Sequence, residues 1–133
     1  MDTAAFDASS LIADVDEVEV EIINPLTKKK TGLFITVLSR DSDTYKSVAK
    51  QQGNQRFKSF GRKTSSPGLT VEELEEESLQ LLTACTKSWR NMIYKGQEME
   101  FNPANVRVIY ENVPTIREQV DDAIHDRGNF KKR

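Results

Sequence analysis

Four marks between Asn102 and Phe130 constrain this chain more than any other feature: Asn102-Pro103, Val113-Pro114, Thr115 with Glu118, and Gly128-Asn129. Asn followed by Pro opens a helix, because Asn caps the free N–H groups and Pro sits where its missing N–H costs nothing. Pro114 pushes Val113 out of the α region, and Thr115-Ile116-Arg117-Glu118 then restarts a helix as a capping box. Gly128-Asn129 supplies residues that tolerate a left-handed C-cap. Between these marks Val106, Ile109, Tyr110 and Val113, then Ile116, Val120, Ala123 and Ile124, recur at helical spacing. Two short helices with one apolar face each need a third surface to cover them, so this stretch belongs to a core.

The covering surface is expected near the other end. Glu17-Val18-Glu19-Val20-Glu21-Ile22 alternates with the period of a strand, and Leu33 to Leu38 is β-rich and apolar on nearly both faces. They read as an antiparallel hairpin whose long connection carries Lys28, Lys29 and Lys30, either a solvated tip or a contact for an acidic surface. Residues 1–16 hold four aspartates and no cation, and read as a mobile arm or a short docking helix offering Phe6, Leu11 and Ile12 to a neighbouring subunit.

From Asp41 or Ser42 the pattern predicts a helix to about Phe57, weakly striped by Tyr45, Val48, Ala49 and Gln52 and interrupted by Gly53. Its surface is basic, and Phe57 and Phe60 interleave with the charges. That mixture is the recipe of a single-stranded nucleic-acid binder, but it matches no nucleic-acid module, and two phenylalanines beside a loop more often dock on the core. Residues 61–69 read as a flexible loop without phosphate-loop spacing. Thr70-Val71-Glu72-Glu73 is a second capping box. Behind it Val71, Leu74, Ser78, Leu81, Leu82, Cys85 and Trp89 predict one long helix of about five turns forming the core's main wall. Its glutamates 72, 73 and 75–77 read as a solvated acidic face, and Leu79 points away from the stripe as an exposed contact for a partner. Asn91 to Phe101 reads as a small hairpin around Gly96.

These elements make an α+β fold: a mostly helical single domain over residues 17–130, with an N-terminal antiparallel β-hairpin and about four helices. An acidic arm at 1–16 precedes it and a basic tail at 131–133 follows. A length of 133 residues suffices for one core. The net charge of −2 gives no global attraction to nucleic acid or membrane. No apolar run approaches the ~18 residues of a membrane span, and no secretory leader is visible. Cys85 and His125 are the sole members of their kinds, so neither an intrachain disulfide nor a metal site is expected, and no cofactor loop is present.

An enzyme would have to rest on carboxylates that all have surface explanations, so none is expected. Opposite charge is instead segregated, acidic before Ile22 and from Glu72 to Glu77, basic from Arg40 to Lys63, which suits association between copies.

Cys85-Thr86-Lys87-Ser88-Trp89, then Phe101-Asn102-Pro103-Ala104-Asn105, Pro114, Arg117-Glu118-Gln119-Val120 and Asn129-Phe130 resemble the C-terminal half of phage tail assembly chaperones. Ile23-Asn24-Pro25-Leu26-Thr27, Thr31-Gly32 and Asp41-Ser42-Asp43-Thr44-Tyr45 are similar to the N-terminal half. The resemblance implies a protein of the host cell cytoplasm, absent from the mature virion of a long-tailed phage. It would bind and solubilise the tape measure protein, help recruit tail tube protein and act as a homo-oligomer. It also implies a longer frameshifted product, with which Lys131-Lys132 is compatible. Phe57, Phe60 and Leu79 are the candidate partner-binding residues, chosen from pattern rather than from the resemblance. The alternatives are another small phage morphogenesis or head-tail protein that stays in the virion, and a single-stranded nucleic-acid-binding accessory protein using Arg40 to Lys63.

Overall fold

Alternation along Glu17–Ile23 (β1) gives an antiparallel ladder with Lys30–Leu38 (β2), in the register Glu17 with Leu38, Glu19 with Thr36 and Glu21 with Phe34. A computed structural model describes residues 5–13, 15–60 and 70–130, with the side chains of 59 and 60 left aside. The expected loop at 61–69, the tail at 131–133 and the first four residues of the arm lie outside the described residues. The connection is shorter than the sequence suggested, because Lys30 to Gly32 already belong to β2; Asn24 and Lys29 close it with an N–H to carbonyl bond of 2.8 Å. Lys28 takes a left-handed φ of 62° there.

The described residues form an α+β domain with four helices: Asp43–Phe60 (α1), Val71–Ala84 (α2), Pro103–Asn112 (α3) and Pro114–His125 (α4). Ser42 opens α1 by accepting from the Tyr45 N–H at 3.2 Å, and Gly53 lies within that helix without ending it. Asn102 caps α3 through the Asn105 N–H at 2.8 Å, with Pro103 in the first turn as expected. The expected Thr115 box does not form. Pro114 is itself the first residue of α4, so Val113 holds the cap position and makes no side-chain cap bond. Nor do Gly128 and Asn129 adopt the left-handed cap. The chain turns instead into a short 3-10 segment, Arg127–Phe130, and the Asn129 side chain donates to the Ala123 carbonyl at 3.2 Å.

The largest departure is at the end of α2. The predicted five-turn helix stops at Ala84, and Thr86–Arg90 forms a strand (β3) on the far side of β2, giving the order β1-β2-β3. Two causes converge. The Thr86 hydroxyl donates to the Leu82 carbonyl at 2.8 Å, taking the acceptor that a continuing helix would use, and β2 offers an open edge on which Ile35 pairs Trp89. Trp89 then donates its indole N–H to the Met99 carbonyl at 3.0 Å and meets Phe101 edge-on. The small hairpin follows as expected, Ile93–Tyr94 (β4) with Gln97–Glu98 (β5), turned by Lys95 and Gly96 at positive φ.

One face of the sheet carries Ile22, Ile35 and Val37 into the core, where Val106, Ile109 and Tyr110 of α3 and Ile116, Val120 and Ile124 of α4 are buried with them. The other face is laced with charge: Arg90 grips Glu19 through two bonds of 2.9 and 3.0 Å while lying 3.9 Å over the Phe34 ring, and Lys87 pairs Glu17. Phe130 is fully buried, and its carbonyl accepts from the Val15 N–H at 3.1 Å, so the arm's root and the C-terminal turn close on each other. Beyond that root, Ala8–Leu11 makes one 3-10 turn with Phe6, Leu11 and Ile12 exposed.

Strand β1 is an edge, and Gln119 of α4 closes part of it. Its amide oxygen accepts from the Ile23 N–H at 2.9 Å and its amide nitrogen donates to the Ile23 carbonyl at 2.8 Å. Gln119→Leu removes both partners at a half-buried position, and is expected to cost about 1–3 kcal/mol in urea denaturation. An unchanged urea midpoint would mean that water replaces the amide there.

Candidate functional site

Helix α2 is the element from which a binding surface grows. Its capping box forms as the sequence requires: the Thr70 hydroxyl accepts from the Glu73 N–H at 3.1 Å, and the Glu73 carboxylate accepts from the Thr70 N–H at 3.3 Å. At about 100° per residue, the apolar side chains from Leu81 through Leu82 to Leu79 sweep an arc of roughly 160°. That is wider than one packing face, and the fold splits it. Leu79, Leu82 and Cys85 enter the core. Val71, Leu74, Ser78 and Leu81 line the space that α2 leaves against α1 and α4.

This space is an open groove of about 450 Å³ between α2 and α4, sharing Leu74, Ser78, Leu82 and Asp121 with a hollow of about 220 Å³ beneath α1. Val71 is 76% exposed and Leu74 51% exposed, both in the first turns of α2. The rim is charged. Arg117 donates to Glu75 at 3.2 Å, and Asp121 lies 3.0 Å from the His125 ring, whose other nitrogen meets the Tyr45 hydroxyl at 3.0 Å.

The glutamates that read as a solvated face do more than face water. Three consecutive carboxylates reach three different helices: Glu75 to Arg117 on α4, Glu76 to Arg107 on α3 and Glu77 to Arg56 on α1. Arg107 holds the Glu76 carboxyl below its ordinary range, and the pair raises the guanidinium in turn. Exposed pairs of this kind contribute little each, so their effect is to orient rather than to stabilise. Polar bonds also tie α1 to α2: the buried Gln52 side chain donates to the Glu77 carbonyl at 2.9 Å and to the Gln80 side chain at 3.0 Å.

Two of the three residues expected to bind partners are placed by the structure. Phe57 stands 84% exposed on α1 but does not line the groove. Leu79 corrects the expectation: it is 5% exposed, because the core side of α2 lies toward the Leu79 edge of its apolar arc. It is therefore a packing residue. The side chain of Phe60 lies outside the described residues. The sequence reading missed Val71 and Leu74 as surface residues. The available signals were the width of the arc and their position among five glutamates, where a core wall would be unusual.

No cluster of three or more potential metal ligands occurs among the described residues. Cys85 is fully buried, and burial pushes its thiol up to about 11 from the ordinary 9.0. Burial also raises the Tyr110 hydroxyl, which meets the Thr86 hydroxyl at 2.5 Å. A thiol held protonated is a poor nucleophile. Thiol reagents at pH about 8 should thus leave Cys85 unmodified until the chain unfolds; prompt native labelling would contradict its burial. Because the folded chain holds this proton more tightly than the unfolded chain, stability is intact below the ordinary 9.0 and should fall as pH rises toward about 11. Comparison with family models, with curated proteins and with solved structures returns no match for this chain.

Proposed function

We propose that this chain is a phage tail assembly chaperone that keeps the tape measure protein soluble by covering part of an apolar helix stripe with the groove between α2 and α4. The observation that carries the reading is the exposed pair Val71 and Leu74, set in a groove with a charged rim. An amphipathic helix laid in a hydrophobic groove is a recurring mode of recognition, read through anchors at i, i+3 and i+4. Burying a Val or a Leu is worth about 1.5–3 kcal/mol before ordering costs, so two such anchors give modest affinity. Modest affinity suits a helper that must let go as tail tube subunits assemble. The resemblance carried by Phe101 to Asn105 and by Arg117 to Val120 supplies the identity of the client and the host cell cytoplasm as the setting. The work is binding, with no reactive centre.

The test is co-expression with the tape measure protein of the same phage. The expected result is a marked rise in the soluble fraction of that protein and co-elution of a complex. An unchanged soluble fraction with nothing co-eluting would overturn the reading, and would favour a virion component instead.

A further inference from the structure

We infer that the free edge of β1 takes up an extended segment of another protein as an added strand, one that alternates lysine or arginine with apolar residues. In an antiparallel ladder, alternate residues turn their main-chain groups toward the partner strand and away from it. Asp16 and Ile22 turn toward β2, where the Asp16 carbonyl accepts from the Ser39 N–H at 2.7 Å and the Ile22 carbonyl from the Thr31 hydroxyl at 2.6 Å. Val15 and Ile23 turn outward, the first to the Phe130 carbonyl and the second to the Gln119 amide. The same alternation sends the N–H and C=O groups of Glu17, Glu19 and Glu21 outward, and they meet no partner among the described residues. An edge closed at both ends thus stays open between its closures.

The side chains decide which strand fits. Pairing β1 with β1 of a second copy would set carboxylate against carboxylate, which is destabilising. Lys87 and Arg90 pair with Glu17 and Glu19, while Glu21 accepts from the Gly32 N–H at 2.9 Å, so three carboxylates meet two cations and negative charge is left along the edge. On the other face of the strand Val18 and Val20 are half-buried. An incoming strand therefore places cations beside the glutamates and apolar side chains beside the two valines. Exposed strand edges are a recurring seat for peptides, in which main-chain bonds supply affinity and alternate side chains supply the choice. The groove between α2 and α4 uses other residues, so this site goes beyond the chaperone reading and does not depend on it.

Amide hydrogen exchange, read by NMR on the full chain, tests this with a short end-blocked peptide of alternating valine and lysine. Without peptide, the amides of Glu17, Glu19 and Glu21 should exchange about tenfold or more faster than those of Val18 and Val20, which are bonded to β2. Peptide at about 1 mM should slow the three glutamate amides by about tenfold and leave the valine amides unchanged. A peptide of alternating valine and glutamate should give no protection. Glu19→Pro removes one outward N–H from an edge, where proline is tolerated, and should weaken the lysine peptide about tenfold or more. Glu19→Ala keeps that N–H and should weaken it by no more than about fivefold. Slow exchange at Val18 and Val20 shows that each variant is folded. If Glu19→Pro does not fold, a lysine peptide N-methylated at every second residue makes the same cut from the other side and should give no protection. Glutamate amides already slow in the free chain, glutamate amides that the lysine peptide leaves fast, or equal protection by the glutamate peptide would each overturn the inference. So would slowing that rises with the concentration of the chain alone, which would seat a second copy on the edge. None of these results bears on co-expression with the tape measure protein, whose failure would in turn leave this site untouched.

Discussion

Leu79→Ala should destabilise the domain by about 2–5 kcal/mol, the usual cost of emptying a packed core site. Leu79 is 5% exposed and belongs to the buried core cluster, so the deletion leaves a cavity in that core. Against a total stability of roughly 5–15 kcal/mol for a domain of this kind, that is a large fraction. The matched control is Leu74→Ala, five residues earlier on the same helix. Leu74 is half exposed, and its truncation should move stability by no more than about 0.5 kcal/mol. Urea denaturation of the two variants distinguishes the rotation of α2 about its axis. If Leu74→Ala proves costly and Leu79→Ala neutral, the helix presents the opposite face to the core and the groove does not exist.

The second large effect concerns binding. If the proposed function holds, Val71→Asp combined with Leu74→Asp should return the solubility of the tape measure protein to its level without this chain, while the variant's own melting temperature shifts by less than about 3 °C. The fold tolerates these changes because both side chains are exposed and carboxylates in the first turns of a helix are favoured by its dipole. Loss of two apolar anchors at about 1.5–3 kcal/mol each corresponds to a hundredfold or greater loss of affinity. A folded double variant that solubilises the client as well as wild type would place the client elsewhere, for instance on the charged outer face of the sheet.

Several elements were legible in the chain for physical reasons that recur in other proteins. The β1–β2 hairpin followed from alternation, α3 from Asn102-Pro103, and the start of α2 from Thr70 with Glu73, all local devices that work within one or two turns. The core faces of α3 and α4 followed from helical spacing, since each carries a single narrow stripe. What local pattern could not give was β3. Thr86 to Arg90 continue the spacing of α2, and only the open edge of β2, about fifty residues earlier in the chain, makes a strand there preferable. The outlook of α2 was misjudged for a related reason. A broad apolar arc serves two surfaces at once, and sequence alone does not say which edge of it meets the core. The Gln119 clamp on Ile23 was invisible as well, because a half-buried Gln on a helix carries no sign of the strand it will bind.

Site-specific photo-crosslinking tests the central claim most directly. A photo-reactive side chain in place of Leu74 puts the probe in the groove, and the same side chain in place of Ser88 puts it on the outer face of the sheet, where Ser88 pairs Thr36. With the tape measure protein co-expressed, illumination should yield an adduct from position 74 and none from position 88. An adduct from position 88 with none from position 74 would contradict the groove as the client's seat.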